Sequence, residues 1–255
     1  MAGHSKWANI KRQKARVDAV KGKVFAKLSR AIIVAARHGQ PDPEANFQLR
    51  TAIDKAKAAG IPSENIERAI AKGAGTLGAD GAALEAIRYE GYGPGGVAVL
   101  IEALTDNRNR TAADLRSAFS KNGGNLGETG CVSWMFAQKG VVTIVGSLDE
   151  EELLEASMAG DAESYELTEV DDTAGAEVIA GVEGLEHLST TLKEQGYTVS
   201  DSELRWIPQN SIEIADPDQA RSLLKMIDAL EDLDDVQSVT TNFDMSEELL
   251  AISMV

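Results

Sequence analysis

A chain of 255 residues, 43% hydrophobic and 26% charged but only 5% aromatic, has room for two or three domains and is too apolar for wholesale disorder. Its 41 Asp and Glu outnumber 25 Lys and Arg, a formal charge of −16 that on its face argues against a polyanion partner. A lone cysteine excludes an intrachain disulfide or a cysteine-rich metal site, no run of roughly 18 apolar residues exists to span a membrane, and the polar, basic start predicts no secretory signal, so a soluble, cytoplasmic protein is expected.

Distribution reverses the reading of the charge. Residues 1–75 carry 15 Lys and Arg against 6 Asp and Glu, whereas the other 180 carry 10 against 35. Lys6, Lys11, Arg12, Lys14, Arg16, Lys21, Lys23, Lys27 and Arg30 all fall in the first 30 residues, opposed only by Asp18. Such a segment suits a phosphate backbone, and these nine cations with Trp7 are the candidate nucleic-acid contacts. Trp7 precedes any apolar periodicity and either stacks on a base or docks back onto a helix. The competing reading of the cations is pairing with the acidic remainder of their own chain.

From Lys23 to His38 the period is helical. At about 100° per residue, Val24, Phe25, Leu28, Ile32, Ala35 and Ala36 share one face, with Lys23, Lys27, Arg30 and Arg37 opposite. Gly39 and Pro41 end it. A second helix is predicted from Glu44 to Ala59 on Leu49, Ile53 and Ala56, and a third from Pro62–Ser63 to Gly73 on Ile66 and Ile70, where a proline and a capping hydroxyl favour the first turn. Three helices make a small bundle, followed by a glycine-rich linker over residues 73–83.

Beyond the linker the pattern turns mixed. IRYEGYGP and GVAVLIEALTD are predicted strands about a glycine-rich turn, RTAADLRSAFSKNGG an amphipathic helix, and CVSWMFA a strand. VVTIV, a helix from Asp149 to Ala159, SYELTEV, AEVIAGV, a helix from Gly184 to Gln195 and YTVSDSELRWI then spell β-α-β-β-α-β, the split pattern of a ferredoxin-like sandwich. SIEIA, a helix from Asp216 to Leu233 and VQSVTTNF add a further β-α-β. The expectation is nested: an α+β protein with a basic arm and bundle over 1–79, a discontinuous α/β domain over 80–138 and 209–246, and a ferredoxin-like domain over 139–208 inserted in it.

Signatures of chemistry are sparse. Gly22-Lys23 is followed by Val24 rather than a phosphate-loop Ser or Thr, and neither GxSxG nor HExxH occurs. His4, His38 and His187 are scattered, Cys131 reads as a core residue, and the acidic runs EDLDDV and DEEELLE read as solvated helix ends. No catalytic residue, cofactor or metal is expected. YEGYGPGG, Tyr89 to Gly96, is either a wide turn or a backbone surface that approaches a ligand, flanked by Tyr89 and Tyr92. TDNRNRT places Arg108 and Arg110 between asparagines at a strand-to-helix junction, which suits phosphate or carboxylate contact or simply caps the helix near Thr111. KNGGNLGETG is a return loop that would lie beside it. These four side chains are the candidate partner or phosphate contacts outside the arm.

The motifs GHSKWANIKRQK at Gly3, KGKVFAKL at Lys21, NIERAIAKG at Asn65, YEGYGPGG, TDNRNRT and KNGGNLGETGCVSWMF occur in an order, and over a span, that resembles the YebC family, which includes the mitochondrial translational activator of cytochrome c oxidase. The resemblance implies three domains (a helical bundle and two ferredoxin-like α/β domains) and a non-enzymatic cytoplasmic regulator of gene expression. For bacterial members it implies DNA-binding transcriptional regulation; for others, association with ribosomes that eases synthesis of proline-rich stretches. The expected partner is thus a nucleic acid, DNA or RNA, with the ribosome as the alternative, and no membrane. Two further classes stay open: an enzyme with a pocket between YEGYGPGG and TDNRNRT, and a protein-binding adaptor. Neither target sequence, oligomeric state nor domain arrangement follows from the chain.

Overall fold

The computed structural model describes residues 21–76, 84–170 and 173–253. Helices α1 (Lys21–His38), α2 (Phe47–Ala58) and α3 (Ser63–Gly73) close around buried Ile32, Ile33, Leu49, Ile53, Ile66 and Ala69. Helix α2 begins three residues later than the periodicity predicts. The Asn46 carboxamide accepts from the Leu49 amide at 3.0 Å while its Nδ2 donates to the carbonyls of Ala35 at 2.9 Å and Gln40 at 2.8 Å. One side chain therefore caps α2 and ties it to the end of α1. At α3 the expected hydroxyl cap is not used: Pro62 takes the cap position and Ser63 is already helical.

Strands β1 (Glu85–Tyr92) and β2 (Ala98–Thr105) form an antiparallel hairpin running from Glu85 opposite Thr105 to Tyr92 opposite Ala98. Its turn uses left-handed backbone at Gly95 and Gly96, φ 74° and 76°, which only glycine adopts without strain. Helix α4 (Arg108–Lys121) follows, capped by Asn107 rather than starting near Thr111, so Arg108 and Arg110 lie in its first turn. The return strand β3 is only Asn125–Leu126, pairing with β1.

The predicted strand CVSWMFA is not one. Ser133–Met135 form a 3₁₀ turn, and strand β4 runs unbroken from Phe136 to Val145, absorbing VVTIV. The reason lies in the backbone donors. The amides of Val132 and Ser133 point at the buried Glu90 carboxylate instead of at a neighbouring strand.

Residues 137–207 form a compact unit of their own. After β4 come α5 (Glu150–Ala159), β5 (Ser164–Val170), β6 (Thr173–Ala180), α6 (Leu185–Glu194) and β7 (Thr198–Pro208), with sheet order β5-β6-β4-β7. That is the antiparallel order of a split β-α-β fold, and Leu153, Ala156, Leu188 and Leu192 pack its two helices inward.

The chain then returns to the first sheet. It supplies β8 (Ile212–Glu213), α7 (Pro217–Glu231), β9 (Val236–Thr241), β10 (Phe243–Asp244) and α8 (Glu247–Ser253). Strand β9 joins β2 antiparallel to complete the order β3-β1-β2-β9. VQSVTTNF, expected as one strand, divides at buried Asn242, whose carboxamide oxygen accepts from the Ala98 amide at 2.8 Å. SIEIA does not enter the main sheet; β8 pairs with β10 in a two-stranded parallel ribbon. Helix α8 has no counterpart in the sequence reading. Buried Leu100, Ile101, Leu115, Phe119, Leu223 and Ile227 make the core here, each contributing about 1.5–3 kcal/mol by leaving water.

Gly91 sits where this core is tightest, since a Cβ there would stand 2.6 Å from the Asn125 carbonyl oxygen and 2.7 Å from Phe119 Cζ. Backbone on one side and a fully buried ring on the other leave little room to yield. Gly91→Ala should cost about 1–3 kcal/mol in urea unfolding and part β3 from β1, read as faster hydrogen exchange at Gly127, whose amide donates to the Glu90 carbonyl at 2.8 Å.

Candidate nucleic-acid interface

Of the ten candidate contacts at the front of the chain, Lys6, Trp7, Lys11, Arg12, Lys14 and Arg16 lie outside the described residues. Lys21 and Lys23 open α1, and their side chains are likewise outside the description. Lys27 and Arg30 are placed, and both face the chain itself. Lys27 Nζ donates to the Glu231 carbonyl at 2.6 Å, where the C-terminal end of α7 attracts a cation. Arg30 Nη1 donates to the Asp234 carbonyl and stands 3.5 Å from Asp235 Oδ1. Arg37, farther along the same helix, donates to the Leu84 carbonyl at 2.8 Å. The polar face of α1 thus clamps the bundle to residues 84 and 231–235.

Asp235 is the centre of that clamp. It is 7% exposed, and its Oδ2 accepts from Arg110 Nη2 at 2.7 Å, Thr111 Oγ1 at 2.8 Å and Thr105 Oγ1 at 3.2 Å. Arg110 also reaches Asp106 Oδ1 at 3.0 Å. Burial pushes the Asp235 carboxyl up, but the donations from Arg110 and Thr111 outweigh it and hold the group below the ordinary value of 3.8. Beside it opens a cleft of about 600 Å³ lined by Arg30, Asp106, Arg110, Asp114, Asp232 and Asp234. Carboxylates outnumber guanidiniums on its wall, so its field disfavours a phosphate.

Arg108, Arg110, Tyr89 and Tyr92 do not share one pocket. Tyr89 donates to the Arg108 carbonyl at 3.2 Å, and Arg108 Nε lies 3.5 Å from Glu85. Tyr92 instead donates to the Cys131 carbonyl at 3.0 Å. Between them in sequence, Glu90 is buried and its carboxylate accepts from the amides of Gly130, Val132 and Ser133 at 2.7–2.8 Å. Burial raises the Glu90 carboxyl, yet those three backbone donors win and set it below the ordinary 4.5. The loop they hold presents Trp134, 65% exposed, with its Nε1 on the Cys131 carbonyl at 3.2 Å. Among the described residues no group of His, Cys, Asp and Glu is arranged to hold a metal ion, and no helix is long and apolar enough to cross a membrane.

Residues 5–76 match the TACO1/YebC protein N-terminal domain, and residues 84–243 match the TACO1/YebC second and third domain. The chain belongs to the TACO1/YebC family. It is 75% identical over 253 residues to a protein of Trichormus variabilis named "Probable transcriptional regulatory protein", with 99% of each chain covered. A protein of the same description from Nostoc punctiforme is 74% identical over 254 residues, covering 100% of both chains. A crystal structure of a conserved hypothetical protein from Aquifex aeolicus superposes with a TM-score of 0.82 at 45% identity, over 91% of this chain and 94% of that one.

Within this family member, Asp235, Glu90 and Trp134 are the residues that sequence reasoning passed over. Asp235 hides in an acidic run that reads as solvent-facing. The clue to Glu90 is a carboxylate inside an otherwise tyrosine- and glycine-built strand, where an ion needs an internal partner.

Both carboxyls have native pKa values below their unfolded ones, so each adds stability that is full above about pH 4–5 and is lost as pH falls through its native pKa. Asp235→Asn should destabilise the chain at pH 7, and the difference from the parent should shrink toward pH 3 in parallel urea titrations. Glu90→Gln keeps one acceptor but loses the charge. It should cost about 1–3 kcal/mol at pH 7 and raise the exchange of the Gly130 and Val132 amides.

Proposed function

We propose that this protein is a non-enzymatic, nucleic-acid-binding regulator of gene expression, a DNA-binding transcriptional regulator as the names of its relatives suggest. The observation that carries the reading is nine cations against one anion in residues 1–30, of which Lys27 and Arg30 are taken up by the chain itself and the seven from Lys6 to Lys23 carry the proposed contact. Lys27 and Arg30, held on Glu231, Asp234 and Asp235, give the last turns of that segment a fixed seat, from which the cations before them can lie along a phosphate backbone. The arm reads charge more than bases, and it positions the protein on a duplex. The non-enzymatic part of the reading rests on the sequence, which carries no nucleophile-elbow, metal-pair or phosphate-loop motif.

If 5–8 phosphates are neutralised on duplex DNA, log affinity should fall with log salt at a slope of roughly −4.5 to −7. Alanine at Lys6, Lys11, Arg12 and Lys14 should flatten that slope by about 3–4 and weaken binding to all sequences alike, measured by anisotropy at several salt concentrations. Salt-independent binding would contradict the reading. A second reading, a ribosome-associated factor on ribosomal RNA, is favoured by one observation. Residues 137–207 hold 17 Asp and Glu against 3 Lys and Arg, which bare DNA would repel and a mixed RNA–protein surface would accommodate. Cosedimentation with ribosomes against gel shift of promoter DNA at matched salt separates the two.

A further inference from the structure

Helix α5 buries Leu153, Ala156 and Ser157 against its own unit but leaves Leu154 47% and Met158 70% exposed. The two are one helical turn apart and therefore adjacent on the surface. Glu150 and Glu151 precede Leu154 by four and three residues, and Glu155 precedes Met158 by three, so carboxylates border the apolar pair. None of these three glutamates pairs with a cation among the described residues. Acids at a helix start are accounted for by the dipole, and Asp149 caps this one through the amides of Glu151 and Glu152. The dipole does not account for a leucine and a methionine standing in water beside them.

The surrounding unit sharpens the choice of occupant. Of its three cations, Arg205 lies between Glu177 at 2.8 Å and Glu203 at 2.9 Å, and Lys139 is 2.6 Å from Glu163, leaving Lys193. A polyanion or an anionic lipid surface would be repelled. A second copy of the same face would set glutamate against glutamate. What complements an apolar row edged with carboxylates is an apolar row edged with lysine and arginine, and a flexible, polarizable methionine adapts to differing side chains across the contact.

We propose that the exposed face of α5, centred on Leu154 and Met158 and edged by Glu150, Glu151 and Glu155, docks a basic amphipathic helix of a partner protein. This contact is separate from the nucleic-acid arm and stands whether or not that arm binds DNA.

The test uses the full-length chain and two labelled peptides of equal charge, an amphipathic Lys–Leu helix and a Lys–Ser control, followed by fluorescence anisotropy. The Lys–Leu peptide should bind about tenfold or more tightly than the control, because only it fills the apolar row. Leu154→Ser with Met158→Ser removes the half-exposed leucine and the exposed methionine of the row and should lose about that factor with far-UV dichroism unchanged. Glu151→Gln with Glu155→Gln should weaken the Lys–Leu peptide and reduce its salt dependence. Equal binding of the two peptides overturns the proposal in favour of charge alone. So does undiminished binding by the serine variant, and so does a dimer in sedimentation equilibrium that the serine variant dissolves, which would make a second copy the occupant.

Discussion

A carboxylate taken out of water is tolerated only when its surroundings supply the donors that water did, and Asp235 organises much of its unit around that requirement. Thr105 ends β2, Arg110 and Thr111 begin α4, and Arg30 comes from the bundle more than 200 residues away in sequence; all converge on one side chain. Each donor fixes the rotamer of another, since Thr111 Oγ1 also lies 2.8 Å from Thr105 Oγ1 and Thr105 accepts from the Asn107 amide at 2.8 Å. Such a network is costly to break because any member removed leaves a buried polar group unmatched. It is thus the point through which the basic first helix is held to the acidic turn after α7.

Glu90 does the same work on a smaller scale. Its carboxylate substitutes for a neighbouring strand by taking the amides of Gly130, Val132 and Ser133, so the segment that follows β3 is ordered without regular pairing. The family motifs YEGYGPGG and KNGGNLGETGCVSWMF are therefore two halves of one hydrogen-bonded structure. Tyr92 and Trp134 both end on the Cys131 carbonyl, which accepts twice. Two motifs far apart in sequence specify each other through backbone atoms, and one exposed indole is what they present to solvent.

Charge is partitioned with equal clarity. The front of the chain concentrates cations and residues 137–207 concentrate carboxylates. Where opposite signs meet within the unit that holds the bundle, as at Lys27, Arg30 and the 231–235 turn, contact goes largely to backbone carbonyls, whose orientation at a helix end already favours a positive group. A strongly acidic unit and a strongly basic segment suit partners of opposite chemistry.

Periodicity alone determined the three-helix bundle, the β1–β2 hairpin and the β-α-β-β-α-β series, because burying one face of a helix or strand writes a spacing into local sequence. Clustered lysines and arginines likewise declared the basic front of the chain. Only the tertiary structure decided that CVSWM is a turn leading into β4, that SIEIA leaves the main sheet, that α4 begins at Arg108, and that Lys27, Arg30 and Arg110 are engaged by their own chain. Apart from the start of α4, which its neighbour Asn107 caps, the deciding partner lies far away in sequence: Glu90 for the turn, Asn242 and β10 for the ribbon, Glu231, Asp234 and Asp235 for the cations. Spacing records which faces are buried, but it carries no record of which distant carbonyl or carboxylate a polar group will meet once the chain has closed.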